Sequence, residues 1–281
     1  TTIEENNERV IRTEAPSGIL TARWIVGPDG DWWQTEYPVK SEADFSAALE
    51  AAQARAYVPD PAPLQQAQAE VGDDGIVAIE IPRRPYSDIL HEFLGWSEGL
   101  MFLAEPVVAE MNAALEASLQ TLVKAIAPLP GTIVFSPDNL DGQFIPPRTF
   151  DEFLTGSYRR TTELLHQHDK LLTVHVGGPI KHILPKLAQT GVDCIQGVCG
   201  PPQGDLSPAE ARQLVGPDVT LWGGLAQDFL LEHHDDNAFA AAAGQAAQEI
   251  SADPRAILGV ADRIPVEAIP ARLEAIGELT K

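Results

Sequence analysis

Residues able to take, give or hold a proton are unevenly spread along this chain, and one histidine stands out. His175 closes the apolar run Leu171-Leu172-Thr173-Val174-His175-Val176 and is followed by Gly177-Gly178. An imidazole titrates near neutral pH, so a residue in that place can serve as base, acid or metal ligand. Paired glycines let a substrate approach the backbone closely. The alternative is a neutral imidazole hydrogen-bonded in the interior. Asp138-Asn139-Leu140-Asp141 puts two carboxylates in one short loop, where repulsion raises one pKa and makes a proton donor, or where Asp and Asn simply make the turn. Asp262-Arg263 reads as a catalytic pair or as a structural ion pair. His166 and His168 fall on a helix and His233 and His234 in a polar loop, and all four read as solvated surface. Cys194 and Cys199 form no CxxC or zinc-finger spacing and are too few for a disulfide scaffold. Without a neighbouring base, Cys194 reads as a small buried hydrophobe.

The elements that must position these residues are legible in the hydrophobic pattern. Six β-rich apolar runs, at 77–81, 132–136, 171–176, 193–198, 219–224 and 256–261, alternate with helical stretches, as in βα units around a parallel sheet. Their near-continuous apolar character predicts strands buried on both faces. Long helices are expected over 106–127, 150–169 and 236–251, and one over 179–190 broken by Pro185. Ser207-Pro208-Ala209-Glu210 carries the signature of a helix start. Before residue 77, LTARWIV and WWQTEYPV flank Gly27-Pro28-Asp29-Gly30 as a β-hairpin. A helix over 41–57, capped by Ser41 with Asp44 three residues on, and a Pro- and Gly-rich linker over 58–75 follow.

With no GxGxxG and no P-loop, the serial βα units favour a TIM (β/α)8-type barrel over a doubly wound sheet. The whole chain then reads as a single barrel domain, with residues 1–75 supplying hairpin, helix and linker and 76–281 the βα units. Six strands leave it two short of the roughly eight such a barrel needs. Functional groups in this fold gather just past the C-terminal strand ends. The candidates are therefore Glu80, Arg83, Asp138, Asn139, Asp141, His175, Gly177, Gln196, Trp222, Gln227, Asp262 and Arg263.

Composition narrows the function classes. The chain has 281 residues, 44% of them apolar, and a net charge of −22, so phosphate backbones and anionic lipid surfaces are repelled. No apolar stretch is long enough for a spanning helix, and the opening TTIEENNERV lacks the regions of a signal peptide. A cytoplasmic protein binding neither nucleic acid nor membrane is expected.

In order and spacing, these segments resemble the uroporphyrinogen decarboxylase-like barrels, which include the cobamide-dependent methyltransferases. The resemblance runs through Thr13-Glu14-Ala15-Pro16-Ser17-Gly18-Ile19-Leu20 and through His175-Val176-Gly177-Gly178 with Ile183-Leu184-Pro185 and Gly191-Val192-Asp193. It continues in Leu221-Trp222-Gly223-Gly224-Leu225 and in Ile257-Leu258-Gly259-Val260-Ala261-Asp262-Arg263-Ile264-Pro265, then Ile269-Pro270.

The resemblance implies methyl transfer between a corrinoid or other methyl carrier and a small acceptor. In that scheme His175 and Asp138 position or deprotonate the acceptor, and Asp262 joins them, with Gln196 and Trp222 lining the pocket. Methylcobalamin would be a co-substrate rather than a tightly bound cofactor. A small-molecule substrate, a corrinoid protein and a second copy in a homodimer are the implied partners. The family's thiol-directed enzymes hold zinc with a His-x-Cys motif and a later cysteine. Here Gly177 stands at the first sulfur position and Gly259-Val260-Ala261 at the second, so no metal is expected. The family's decarboxylases imply a second activity, on a pyrrole carboxylate, and the missing cysteines a third possibility, a non-catalytic corrinoid- or partner-binding barrel. Their arginine- and glycine-rich N-terminal loop has no counterpart here, and Tyr86-Ser87-Asp88 reads as a coincidence on a helix. Family members usually carry sequence ahead of the hairpin, which implies a barrel truncated, open or completed by a partner.

Overall fold

The computed structural model describes residues 1–279, which form two compact units. One comprises residues 1–60 and 82–126, the other residues 61–81 and the chain from 127 onward. The N-terminal unit is built on an antiparallel sheet of β1 (Thr2–Glu5), β2 (Glu8–Ala15), β3 (Gly18–Val26) and β4 (Trp32–Glu36), in that order. The predicted hairpin is β3 and β4; β1 and β2 add two strands that polar sequence concealed. Asn6 and Asn7 make the first turn with φ of 52° and 62°, the left-handed region that Asn tolerates better than most residues and that two-residue hairpins favour.

Leu20 and Ala22 of β3 are buried, as are Ala47, Ala48 and Ala52 of the helix Phe45–Ala54 packed on that sheet. Small residues on that helix face let it lie close. The helix Pro106–Ile126 packs against it and buries Val108, Met111, Leu115, Leu119 and Leu122 at helical spacing. The helix predicted over 41–57 is shorter than expected. Ser41 starts one tight turn, Glu42–Asp44, with Asp44 accepting from the Ser41 backbone at 3.0 Å, and the α-helix ends at Ala54.

The second unit carries the parallel sheet, and all six predicted strands are present. They are β5 (Ala78–Glu80), β6 (Ile133–Leu140), β7 (Leu171–Val176), β8 (Cys194–Cys199), β9 (Thr220–Leu225) and β10 (Ala256–Val260), with β5 and β10 at the edges. Val134, Leu172, Val174, Ile195 and Leu221 are fully buried, but burial alternates along β6 and β9, and Leu171, Trp222 and Ile257 are exposed, so the expected burial on both faces is not met. The helices Thr155–His166, Pro208–Val215 and Asp236–Ser251 connect them. Ser207 and Glu210 close the capping box, with the Glu210 carboxylate 2.8 Å from the Ser207 backbone nitrogen.

Two expectations need correction. The segment 58–75 contains a helix, Ala62–Val71, because Pro61 and Pro63 sit at its start, where a missing N–H costs nothing. The helix expected over 179–190 shrinks to Leu184–Ala188, since Pro185 opens it rather than kinking it. Residues 61–81 go with the parallel sheet, and residues 82–126 with the N-terminal unit. Among the described residues no helix is long and apolar enough to cross a membrane.

Candidate functional site

Strand register decides which side chains of neighbouring strands share a row. His175 of β7 pairs with Gln196 of β8, Gln196 with Trp222 of β9, and Trp222 with Ile257 of β10. One transverse row therefore carries an imidazole, an amide, an indole and an aliphatic side chain. Trp222 is 37% exposed and Ile257 47%, so this row leaves an apolar, partly aromatic strip open beside the polar groups.

The polar groups form a chain. His175 Nδ1 lies 2.5 Å from Gln196 Oε1, and an amide oxygen can only accept, so Nδ1 is the donor in this pairing. That Nε2 sits 3.8 Å from Asp262 Oδ1. The Asp262 carboxylate is itself fixed: Oδ1 accepts from the Arg263 backbone at 2.7 Å and Oδ2 from Gln203 Nε2 at 3.2 Å. Gln203 Oε1 in turn accepts from the Gln227 backbone at 3.1 Å. The result is an oriented base beside a carboxylate that would stabilise its protonated form.

Glycine at 197 allows this arrangement. It has φ of +104° at a bulge of β8, and a Cβ there would meet the Ala261 carbonyl at 2.9 Å and His175 Nδ1 at 3.2 Å. A side chain would be strained and would press on the imidazole.

Of the three catalytic candidates, the structure brings His175 and Asp262 together and leaves Asp138 apart. Asp138 is fully buried, and its Oδ2 accepts from Tyr158 Oη at 2.6 Å. It shares the buried parity of Val134, Ser136 and Leu140, while His175 lies on the other parity of its strand. Sequence offered both as strand-end polar residues and could not show that parity and a bulge separate them.

Asn139 and Asp141 lie against the glycine pair that follows β7. A Cβ on Gly177 would collide with the Asn139 side chain, and one on Gly178 would lie 2.5 Å from Asp141 Oδ2. The glycine pair thus makes room for the side chains of Asn139 in β6 and Asp141 just after it. Asn139 holds a φ of +51°, and the Gly142 backbone donates to the Pro179 carbonyl at 2.6 Å. Gln227 contributes through its backbone, and Arg263 is exposed. Glu80 ends the edge strand β5 with its side chain exposed.

Arg83 belongs to the N-terminal unit, where its Nε is buried without a hydrogen-bond partner. That unit has its own titratable cluster. Asp88 ends the short helix Pro85–Asp88, as the helical placement of Tyr86-Ser87-Asp88 anticipated, and bonds to Arg55 at 2.6 Å.

Two residues that sequence reasoning missed hold the rim. Gln203 links the loops after β8, β9 and β10 as described, and Asp205 Oδ1 accepts from the Ile180 and Lys181 backbones at 2.9 and 3.3 Å. Their position in the loop after β8 was the available signal. Both cysteines stay protonated at neutral pH, because burial pushes each thiol up to about 11.

A sulfur-bound zinc does not fit this arrangement. At Gly177 the space for a side chain is taken by Asn139, and at Gly259 a Cβ would lie 2.7 Å from Trp222 Nε1. Neither position has a thiol or room for one.

The family model described as uroporphyrinogen decarboxylase (URO-D) matches residues 101–281. The chain belongs to the uroporphyrinogen decarboxylase family. Among solved structures, a methyltransferase from Methanosarcina mazei matches with a TM-score of 0.59 and 15% identity, over 92% of this chain and 75% of that one. At that identity the likeness concerns the fold, an α/β architecture of the family's TIM-barrel type. An L-ribulose 3-epimerase matches at a TM-score of 0.42 and 13% identity, over 85% of this chain and 82% of the other, too distant to inform the site. No curated protein matches the sequence.

Proposed function

We propose that this family member is an enzyme that transfers a methyl group between a corrinoid or another methyl carrier and a small acceptor, using the His175–Asp262 pair. The observation that carries the reading is the imidazole held at Nδ1 by Gln196 with its Nε2 3.8 Å from Asp262 Oδ1. In the reaction the methyl carbon leaves its carrier for the acceptor heteroatom, and the bonding electron pair stays with the carrier. The acceptor's proton passes to His175 Nε2, and Asp262 stabilises the resulting imidazolium. Gln196 holds the tautomer, and Trp222 with Ile257 offers a flat apolar wall to a large planar ligand. Asp138 is assigned to anchoring the end of β6 through Tyr158 rather than to proton transfer. The fold shared with a methyltransferase is compatible with this reading. The corrinoid acts as a co-substrate, free or carried by a corrinoid protein.

The test is demethylation of methylcobalamin, followed by the corrinoid spectrum across a panel of thiol and folate acceptors. Turnover should fall about 100-fold or more in His175→Gln, the scale of a lost general base. Absence of turnover with every acceptor, together with tight binding of a porphyrin-like ligand, would replace this reading by decarboxylation.

A further inference from the structure

The loop after β9 holds a second convergence of ligating side chains. It shares no side-chain contact with the His175 network as described above. Asp228 Oδ2 lies 3.0 Å from His233 Nε2 and 2.6 Å from His234 Nε2. All three ligating atoms fall within 4.8 Å of one another. We infer that Asp228, His233 and His234 form a binding site for a divalent transition ion of the zinc class.

Three observations carry this assignment. First, two imidazoles aim the same ring nitrogen at a single carboxylate oxygen, so each now shares a proton with it. An ion with bonds of about 2.0–2.2 Å to nitrogen and oxygen could take the place of those protons with small side-chain adjustments.

Second, the loop is built in advance. Arg272 is 4% exposed, and its guanidinium donates to the carbonyls of Phe229, Leu231 and His234 at 2.7–2.9 Å and to Asp236 Oδ1 at 2.8 Å. Its positive charge is thus paired with Asp236, while its fork fixes the backbone that carries both histidines. The Phe229 ring lies 4.4 Å from that of His234, and Asp235 caps the following helix through the Ala238 backbone at 2.8 Å. Ordering costs on binding an ion are therefore small.

Third, the site is accessible. The side chains of Asp228, His233 and His234 are 33%, 55% and 25% exposed, so an ion held by them keeps positions open to water or another ligand, as in three-ligand catalytic zinc sites. A nitrogen-rich donor set with one carboxylate selects zinc, cobalt, nickel or copper over magnesium and calcium. The chain's charge of −22 raises the local cation concentration.

The test uses the full chain without an affinity tag, stripped with chelator and titrated with Co2+ by visible absorption and calorimetry, with Mg2+ as the control. One equivalent of Co2+ should bind with release of protons, and Zn2+ should displace it. His234→Ala and His233→Ala should each weaken binding by about 100-fold, the upper end of what even outer-sphere changes cost. Far-ultraviolet circular dichroism checks that each variant is folded. Should His234→Ala fail to fold, His233→Ala, the more exposed side chain, carries the test. Failure to reach saturation with Co2+, or unchanged affinity in the His233→Ala/His234→Ala protein, would overturn the assignment.

Discussion

The N-terminal unit sets two buried titratable groups against each other, and their pH dependence can be worked out in sign and size. Burial, then the neighbouring Glu92, pushes the Asp88 carboxyl up to about 7, against the opposing pull of Arg55 and Arg83. Burial, then Arg83, pushes the His91 imidazole down to about 3; its Nε2 has no hydrogen-bond partner and its ring meets Trp96 edge-on at 4.6 Å. For Asp88 the folded pKa lies above the unfolded value of 3.8. Its contribution is therefore full below pH 3.8 and is lost as pH rises toward 7.

For His91 the folded pKa lies below the unfolded value of 6.5. That contribution is full above pH 6.5 and is lost as pH falls toward 3. Between about pH 4 and 6.5 the two slopes, each about 1.4 kcal/mol per pH unit, nearly cancel. Single substitutions unmask them. Relative to the natural chain, Asp88→Asn should gain about 2 kcal/mol in stability on going from pH 4.5 to 6.0, and His91→Gln should lose about the same. Urea unfolding followed by tryptophan fluorescence at four pH values in this window measures both, and subtracting the natural chain removes the contribution of groups that do not interact with the substituted one. Parallel profiles for all three proteins, or shifts of the same sign in both variants, would refute the reasoning.

Gly197→Ala should lower stability by about 2 kcal/mol or more, since φ of +104° and the Ala261 carbonyl oppose a side chain there; urea midpoints report it, and a neutral outcome would mean the bulge can relax. Lys170 is buried and donates to the Leu129 and Gly131 carbonyls, so Lys170→Ala should cost about 2–3 kcal/mol by leaving both unsatisfied; a midpoint shift under a quarter of that would show water replacing the ammonium. With both thiols held up to about 11, iodoacetamide at pH 7.5 should leave Cys194 and Cys199 unmodified in the folded chain and label both in urea. Mass spectrometry distinguishes these outcomes, and fast labelling of folded protein would contradict the thiol assignment. Gln203→Leu removes the link between Asp262 and the Gln227 backbone and should slow methylcobalamin turnover about tenfold, the equivalent of one lost hydrogen bond; KM should stay unchanged, and unaltered turnover would remove Gln203 from the site.

What the amino-acid order determined by itself is the local part of this protein. Near-continuous apolar runs announced all six strands of the parallel sheet, although burial alternates along several of them once the chain is folded. The capping box at Ser207 and the helix Asp236–Ser251 were equally legible, since their signals lie within a few residues. The strand-end rule placed His175, Gln196 and Asp262 on one short list.

Tertiary structure decided which listed residues meet. Register joined His175 to Gln196 and Trp222 across three strands, and a bulge with the opposite parity sent Asp138 to Tyr158 instead. Gly177 and Gly178 read as an opening for substrate, and the side chains of Asn139 and Asp141 lie against them. His233 and His234 read as solvated surface because nothing in their neighbourhood of the chain reveals that Arg272, some forty residues later, folds the loop so that both rings face Asp228. Periodicity and caps are short-range and survive in a string of letters, whereas convergence of side chains depends on register, bulges and long-range hydrogen bonds that exist once the chain has packed.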